Sequence, residues 1–293
     1  MDVSIIIVNY NTFPITKACI DSIINYTRDI KYEIILVDNN SQDESYNQFT
    51  KDKRINYLYQ EKNLGFGKAN NIGFKTAKGK YIFLLNSDTL IRSNVIKEFY
   101  DYMENADTTI ACVGTILKSP NGEKANSYGH FPNFLTGFTE YSILSPIMNL
   151  LKLKKKTFNN ENYVDYISGA DIFLRRNVAE EHGLFDPDFF MYFEETEMQY
   201  RYQKHGYKSV IYDKPQIIHL EGVSMKKESG EKQFLKRHIF FNSYYLYLKK
   251  CYGNYKYYLF RLIYAIISPL WIIHPKFSFK DKINFISNAY QKL

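Results

Sequence analysis

Short apolar runs alternate with longer amphipathic stretches over the first 116 residues of the chain. The apolar runs predict buried parallel strands at Val3–Asn9, Tyr32–Asp38, Ile55–Tyr59, Lys80–Leu85 and Ile110–Ile116. The stretches between them predict helices at Pro14–Tyr26, Gly67–Ala77 and Asn94–Asn105. Such alternation is typical of an α/β domain with a doubly wound, mostly parallel sheet.

The second half of the chain is less regular. Gly, Pro and Asn punctuate the stretch from Lys118 to Tyr163, which predicts a long excursion over the site. A regular pattern returns at Val164–Arg175. It is followed by a predicted helix at Thr196–Lys204 and by short predicted strands at Ser209–Tyr212 and Gln216–His219. Beyond Lys226 the pattern is helical, with breaks near Gly253 and Pro269.

Polar side chains follow three of the predicted strands at their carboxyl ends. They are Asn9–Asn11, Asp38–Asn40 and Asn86–Asp88. Ligands of open parallel sheets bind at this edge of the sheet. The sequence therefore predicts a binding site there.

Composition excludes several classes of protein. A chain of 293 residues with 45% hydrophobic and 24% charged residues predicts a folded, soluble protein rather than a disordered one. The three cysteines, Cys19, Cys112 and Cys251, lack the spacing of a disulfide framework or zinc site and indicate a reducing cytosol. The first 20 residues show no basic stretch followed by an apolar run, so no secretory leader is expected.

Charge is distributed unevenly. Residues 1–225 carry 25 basic and 28 acidic residues, whereas residues 226–293 carry 13 basic and three acidic ones together with 17 aromatic residues. A basic, aromatic helical extension fits an anionic membrane surface. It equally fits packing against the rest of the chain or a second copy of it, while no nucleic-acid motif accompanies the charge.

Four groups of residues are candidates for chemistry. Asn86–Asp88 suits a divalent cation or a helix cap, and Glu194–Glu197 after an aromatic run suits a general base or a helix start. His219 suits a metal ligand or a core histidine. The segment from Asn63 to Asn71 nearly matches GxGxxG, but Asn70 replaces the third glycine, so a dinucleotide site is not expected.

Together these motifs resemble family 2 glycosyltransferases of the GT-A fold, in particular the bacterial branch of rhamnosyltransferases and related enzymes of polysaccharide, capsule and O-antigen assembly. The matching segments are Val3–Asn11 (VSIIIVNYN), Ile34–Ser41 (IILVDNNS), Asn63–Gly73 (NLGFGKANNIG), Leu84–Asp88 (LLNSD), Ser168–Arg176 (SGADIFLRR), Phe189–Arg201 and His219–Ser224. The resemblance implies a Rossmann-like GT-A domain over residues 1–225, with a nucleotide-binding half (1–116) and an acceptor and metal half (117–225). Residues 226–293 then form a helical extension.

The resemblance also implies roles for single residues. Nucleotide binding falls on Val8, Asn9, Tyr10, Asn11, Asp38, Asn40, Asn63, Gly65, Lys68, Asn70 and Ser87. A divalent metal, Mn²⁺ or Mg²⁺, falls on Asp88, His219 and Asn86. Asn86 stands where the family usually has Asp, which makes the site less anionic.

The catalytic base implied by the resemblance falls on Glu195, with Glu194 as a rival and Arg201 orienting the acids. The implied reaction is an inverting transfer from dTDP-rhamnose or a UDP-hexose to a glycan or lipid-linked acceptor, in a protein peripheral to the cytoplasmic face of the inner membrane. The alternatives are a catalytically degenerate membrane scaffold on the same fold and a sugar-1-phosphate nucleotidyltransferase. A homodimer through the C-terminal helices is the alternative to membrane binding.

Overall fold

A computed structural model of the chain describes residues 1–137, 162–220 and 230–273, together with residues 279, 282 and 283. Most of the segment predicted as an excursion, residues 138–161, lies outside the described residues, as does much of the last 20 residues. The chain divides into two compact units. One comprises Met1–His130, Phe158–Phe190 and Glu194–Met225, and the other comprises Phe131–Thr157, Met191–Phe193 and Lys226–Leu293.

The first unit is built on a central sheet, which has eight strands within the described ranges, in the order β3-β2-β1-β4-β10-β6-β11-β8. The strands are β1 (Val3–Asn9), β2 (Tyr32–Asp38), β3 (Asn56–Tyr59), β4 (Tyr81–Leu85), β6 (Ile110–Gly114), β8 (Tyr163–Val164), β10 (Asp171–Arg175) and β11 (Lys208–Ile211). Neighbouring strands are parallel except where β10 pairs with β4 and β6 and where β8 pairs with β11. The predicted α/β class with a mostly parallel sheet is confirmed.

Two short ribbons lie beside the main sheet in the described part of the chain. β5 (Thr89–Ile91) pairs antiparallel with β12 (Ile217–His219), and β7 (Tyr128–Gly129) pairs antiparallel with β9 (Tyr166–Ile167). The sequence pattern missed β5 and β7. Both are too short to show a period.

The helices of this unit follow the strands. They are α1 (Phe13–Tyr26), α2 (Ser45–Phe49), α3 (Phe66–Thr76), α4 (Val95–Asn105), α6 (Arg176–His182) and α7 (Glu194–Lys204); the three-residue α5 (Phe134–Thr136) belongs to the second unit. The helices cover both faces of the sheet, because side chains alternate along each buried strand. In β1, for example, Ile5 and Ile7 enter one apolar cluster and Ile6 enters the other, and all three are fully buried.

The second unit is helical where it is described. Its main helices are α8 (Gly230–Tyr252) and α9 (Asn254–Ile267), followed by a 3₁₀ turn at Ser268–Ile273. They pack through aromatic rings, with Phe241 against Tyr264 at 5.1 Å and Tyr244 against Phe260 at 5.3 Å between centroids. The described helices include none with the length and apolar character that a membrane span requires.

The second unit also contains a short segment from the middle of the chain. Its residues Tyr192 and Phe193 have left-handed backbone, with φ of 72° and 67°. Each such non-glycine residue costs about 1–2 kcal/mol. Within this unit the ring of Phe193 packs 5.0 Å from that of Phe240, and Ser243 Oγ donates to the Met191 carbonyl at 2.6 Å. These contacts hold a strained turn that immediately precedes Glu194 in the chain.

Candidate active site

Asn9 ends β1 and is fully buried. Its Nδ2 donates to Ser41 Oγ at 2.9 Å and Ser45 Oγ at 2.8 Å, and its Oδ1 accepts from the hydroxyls of Thr12 and Thr16. Every polar atom of this side chain therefore binds the protein itself. Asn9 joins the segments that follow β1 and β2 at the carboxyl edge of the sheet.

Asp38 lies beside Asn9 in the parallel register and is also fully buried. Its Oδ1 accepts from the Ser41 amide at 2.8 Å, and its Oδ2 accepts from the Tyr57 hydroxyl at 2.8 Å. Burial, followed by the hydrogen bond to Asp38, raises the pKa of Tyr57, so the phenol stays a donor. Nucleotide binding by Asn9 and Asp38 stays a prediction; in the structure both side chains shape the loops around them.

The loop residues beyond these strands are more accessible. Asn11 and Asn40 have left-handed backbone, with φ of 56° and 68°, a conformation that Asn tolerates. The Oδ1 of Asn11 accepts from the Gln42 amide at 2.6 Å, and that of Asn40 accepts from the Tyr59 hydroxyl at 3.1 Å. Tyr10 is 48% exposed and Val8 is half-buried. This loop pair thus presents one aromatic ring and several amides at the sheet edge.

The segment before α3 packs closely against Phe190. Gly65 has φ of 84°, and a Cβ at this position would lie 2.2 Å from the Phe190 carbonyl oxygen, so the turn requires glycine. The Phe66 amide donates to the same oxygen at 2.9 Å. Asn63 Oδ1 accepts from the Gly65 amide and from Asn39 Nδ2, both at 2.9 Å.

Two further predicted nucleotide ligands lie on α3 itself. Lys68 is exposed in the first turn of the helix. Asn70 is buried, and its Nδ2 donates to the Phe66 carbonyl at 3.0 Å. Of the two, the geometry leaves Lys68 accessible to a diphosphate, whereas Asn70 stabilises the start of the helix.

Asp88 and His219 are brought together by the ribbon of β5 and β12. His219 pairs with Thr89, and the Leu220 amide donates to the Asp88 carbonyl at 2.8 Å. As a result His219 Nε2 lies 3.2 Å from Asp88 Oδ1. Residues 131 positions apart in the chain thus form one side-chain pair.

This pair fits a divalent cation. Two ligands with bonds of about 2.1 Å lie about 3 Å apart when they occupy neighbouring octahedral positions. A carboxylate and an imidazole are ordinary ligands for Mn²⁺-type ions, and half-buried Asn86 stands two residues before Asp88. Within the described ranges no group of three His, Cys, Asp or Glu side chains is placed to hold a metal ion.

Glu194 and Glu195 begin α7. Glu194 is only 3% exposed, and its Oε2 is buried without a hydrogen-bond partner. Burial, and then repulsion by Glu195, raises the pKa of Glu194 well above its ordinary value. Burial also raises the pKa of Glu195 to about 7, although the backbone amides of Glu195 and Thr196 lower it. Burial thus raises the pKa of both carboxyls that begin α7.

Glu195 lies against the loop before β10. A Cβ built on Gly169 would lie 3.9 Å from Glu195 Cδ and 3.6 Å from the Phe66 ring. The next residue, Ala170, accepts from the Asn86 amide through its carbonyl at 3.0 Å. The structure thus links the end of β4, the start of β10 and the start of α7 through direct contacts.

Arg201 binds Glu197, two residues after Glu195 on α7. Its Nε and Nη2 donate to the two carboxyl oxygens of Glu197 at 3.1 and 3.0 Å. Its guanidinium also donates to the carbonyls of His182, Gly183 and Leu184, at the end of α6. A catalytic role for Arg201 stays a prediction, and this geometry fits a residue that fastens α7 to α6.

Comparison with protein families decides what kind of chain this is. The model of glycosyl transferase family 2 matches residues 4–183, which is more than half of the chain. The chain belongs to glycosyl transferase family 2. The predicted family is therefore confirmed.

Curated relatives within the family are distant. Glycosyltransferase GlyG of Streptococcus pneumoniae serotype 4 is 32% identical over 139 residues, covering 46% of this chain and 44% of GlyG. Poly(ribitol-phosphate) beta-N-acetylglucosaminyltransferase TarP of Staphylococcus aureus is 26% identical over 240 residues, covering 79% of this chain and 68% of TarP. For GlyG and two further curated relatives, the chain spans 20% to 62% of the relative's own length.

Among solved structures, GalNAc-T7 with UDP, GalNAc and Mn²⁺ matches 97% of this chain and 54% of its own, with a TM-score of 0.64 and 18% identity. At that identity the likeness concerns the fold alone. It confirms the GT-A fold that the sequence resemblance implied for this family 2 chain.

Several residues that shape the site were not predicted. Asn39 joins Asn63, Leu64 and Gly65 through its side chain. Gln199 and Asp171 are buried polar residues next to the predicted elements. Neither shows a sequence signal, because one polar residue in a helix or strand most often faces solvent.

Proposed function

We propose that this family 2 chain is an inverting, metal-dependent glycosyltransferase that moves a sugar from a nucleotide-sugar donor to a glycan or lipid-linked acceptor in cell-surface polysaccharide synthesis. The observation that carries the proposal is Glu195, a half-buried carboxylate whose pKa is raised to about 7, beside the strand end that leads to Asp88. The donors proposed are dTDP-rhamnose and UDP-hexoses. GalNAc-T7, with UDP and Mn²⁺ in its structure, supports a uridine nucleotide and a metal.

The proposed reaction begins with proton transfer to Glu195. The Glu195 carboxylate takes the proton of the acceptor hydroxyl as the hydroxyl oxygen attacks the anomeric carbon. Attack from the face opposite the nucleoside diphosphate breaks the bond to the diphosphate in one displacement, which inverts the anomeric configuration. Glu194 is only 3% exposed, so it is the less accessible of the two carboxyls and the weaker candidate for the base.

The leaving diphosphate must be neutralised. A divalent ion held by Asp88 and His219, with Asn86 beside them, supplies Lewis-acid stabilisation of that charge when it is bound. Lys68, exposed on α3, is placed to add a positive charge near the nucleotide. Tyr10, Asn11, Asn40 and Ser87 offer the accessible groups for the base and ribose, while buried Asn9 and Asp38 hold their loops in shape.

A donor panel tests the function. Purified protein is incubated with UDP-, dTDP- and GDP-sugars, with Mn²⁺ or Mg²⁺, and nucleoside diphosphate release is measured. We expect one nucleotide class to be turned over and the same class to raise the melting temperature, because a ligand of the folded state stabilises it. Nucleotide binding without turnover would indicate the degenerate scaffold. Pyrophosphate release from a nucleoside triphosphate and a sugar phosphate would indicate the nucleotidyltransferase.

The second unit supports a further proposal, that the protein docks on an anionic membrane surface at the cytoplasmic face. One face of α9 and the turn after it is apolar and exposed: Tyr255 (78%), Tyr258 (54%), Leu262 (53%), Ile266 (70%) and Leu270 (42%). The opposite face, with Phe260 and Tyr264, is buried against α8. No acidic residue occurs from residue 232 to residue 273, where seven basic residues do. An apolar stripe with basic surroundings is complementary to anionic lipid.

Vesicle sedimentation tests this surface. We expect the protein to sediment with phosphatidylglycerol-containing vesicles, to release in high salt, and to ignore pure phosphatidylcholine. The double substitution Leu262→Glu with Ile266→Glu should weaken vesicle binding at least about tenfold. It removes two apolar side chains that docking on the membrane would bury. Leu135→Glu, at another exposed leucine of the same unit (65%), is the matched control. A protein that ignores anionic vesicles but forms a dimer, which the double variant dissociates, would identify the stripe as a homodimer interface instead.

A further inference from the structure

Gln199 lies one helical turn after Glu195 on α7, and its side chain is 2% exposed. Its Nε2 donates to the carbonyls of Ile167 at 2.8 Å and Glu195 at 3.1 Å. Its Oε1 accepts from the Ile167 amide and from Ser209 Oγ, both at 2.8 Å. A side-chain amide has two donor and two acceptor positions, so every hydrogen-bonding position of Gln199 is occupied.

The orientation of this amide follows from its partners. The Ile167 N–H can only donate and must meet Oε1, whereas the Ile167 carbonyl can only accept and must meet Nε2. Gln199 therefore binds both backbone groups of Ile167 as a neighbouring strand would. This fastens β9 to α7, and Ser209 fastens the same amide to β11.

The residues that follow Ile167 lead directly to Glu195. Gly169, two residues on, comes close to the Glu195 carboxyl, with 3.9 Å between its Cβ position and Glu195 Cδ. Ala170 then binds Asn86 at the end of β4. The loop that Gln199 fastens at one end thus sets the spacing between Glu195 and the polar end of β4.

We propose that Gln199 is a positioning residue for Glu195, which it holds against the Gly169 loop and away from bulk water. The proposal rests on the proposed function, because it assigns Gln199 to the geometry of the same proton transfer. Displacement of a catalytic group by about 1 Å can lower the rate by about 10²-fold. Loss of the Gln199 hydrogen bonds should therefore affect kcat more than donor KM.

A purely structural role makes a different prediction. If Gln199 only stabilised the fold, its loss would lower the melting temperature and leave the titration of Glu195 unchanged. If it excludes water from Glu195, its loss lets water reach the carboxylate. Because burial is the largest cause that raises the pKa of Glu195 to about 7, that pKa should then fall. Gly169 and Phe66 bring no charge to this position, and Glu194 is the ionisable neighbour.

The experiment compares Gln199→Met, which keeps the length without hydrogen bonds, Gln199→Asn, whose shorter amide cannot reach the same partners and adds no charge, and Ser209→Ala, which removes one remote bond. Each is measured for kcat, donor KM, pH profile and melting temperature. We expect Gln199→Met to lower kcat by about 10- to 100-fold with donor KM within about twofold. The acid limb of its kcat profile should move about one pH unit lower. Ser209→Ala should keep the wild-type acid limb.

The titration of Glu195 can be followed without activity, by carboxyl ¹³C resonances in folded wild-type and variant protein. An unchanged midpoint in Gln199→Met and Gln199→Asn would overturn the proposal, as would unchanged kcat per folded molecule. If Gln199→Met does not fold, Gln199→Asn carries the same comparison. A wild type without transferase activity but with a midpoint that moves in the variants would refute the proposed function while supporting the positioning by Gln199.

Discussion

Replacement of Glu195 by Gln is expected to lower kcat by about 10²–10⁴-fold, since the amide keeps the shape of the side chain but cannot accept a proton. Donor KM should stay close to the wild-type value, because the base acts on the acceptor hydroxyl. The measurement is steady-state release of nucleoside diphosphate at saturating donor, with the melting temperature as the check on folding.

Two matched substitutions separate Glu195 from its neighbours. Glu194→Gln should have a small effect, because Glu194 is buried and less accessible to an acceptor than Glu195. Glu197→Gln should lower stability rather than the chemical rate, because both carboxyl oxygens of Glu197 accept hydrogen bonds from the Arg201 guanidinium. If Glu194→Gln were the damaging change and Glu195→Gln the mild one, the assignment of the base would be off by one residue.

The raised pKa of Glu195 also gives the pH dependence its direction. A general base must be deprotonated, so kcat should rise as the pH increases through about 7 and level off above it. The cause is burial, which disfavours the charged carboxylate. In Glu195→Gln the residual activity should lose this acid limb.

The ends of the central strands could be predicted from the sequence because burial on both faces demands a continuous apolar run. The structure places β1 at Val3–Asn9 and β2 at Tyr32–Asp38, the bounds expected from the pattern. The direction of β10 could not be predicted in this way, because an apolar run is the same in a parallel and an antiparallel strand. In the structure it pairs antiparallel with both β4 and β6.

The site was predictable in its position but not in its internal bonding. Polar residues at strand ends indicated the edge where Asn9, Asp38 and Asp88 lie. The sequence pattern gave no sign that Asn9 binds Ser41, Ser45 and Thr16, or that Asp38 binds the Ser41 amide. Such hydrogen-bond partners depend on tertiary contacts between residues far apart in sequence. The same reason hid Gln199, whose partner Ile167 is 32 residues away.

The domain boundary predicted at residues 225 and 226 and the roles of the nucleotide ligands stay predictions. The family model matches residues 4–183 and does not reach the helical residues after Lys226. Aromatic and basic residues dominate that unit, and such a composition is shared by membrane-bound and packed helices. The membrane proposal rests on the stripe of α9 and the turn after it, whose five side chains are 42% to 78% exposed.

Replacement of Asp88 by Ala is expected to lower kcat by about 10³-fold, equivalent to about 4 kcal/mol of barrier, if Asp88 and His219 hold one ion against the leaving diphosphate. The fold should survive, because the backbone of Asp88, not its side chain, binds Leu220 and maintains the ribbon. Asp101→Ala, which removes an exposed carboxylate of α4 paired with Lys97, is the control and should leave activity and metal binding unchanged.

A double-mutant cycle tests whether Asp88 and His219 act on the same ion. Two ligands of one ion are not independent, so Asp88→Ala combined with His219→Ala should be hardly worse than the more damaging single variant. Mn²⁺ binding in the presence of nucleoside diphosphate, followed by the paramagnetic signal of free Mn²⁺, should be lost in both single variants. Independent, multiplying losses would show that the 3.2 Å contact between His219 Nε2 and Asp88 Oδ1 is a hydrogen bond within the ribbon. Full wild-type activity after chelation would remove the metal from the reaction and leave Lys68 as the charge that faces the diphosphate.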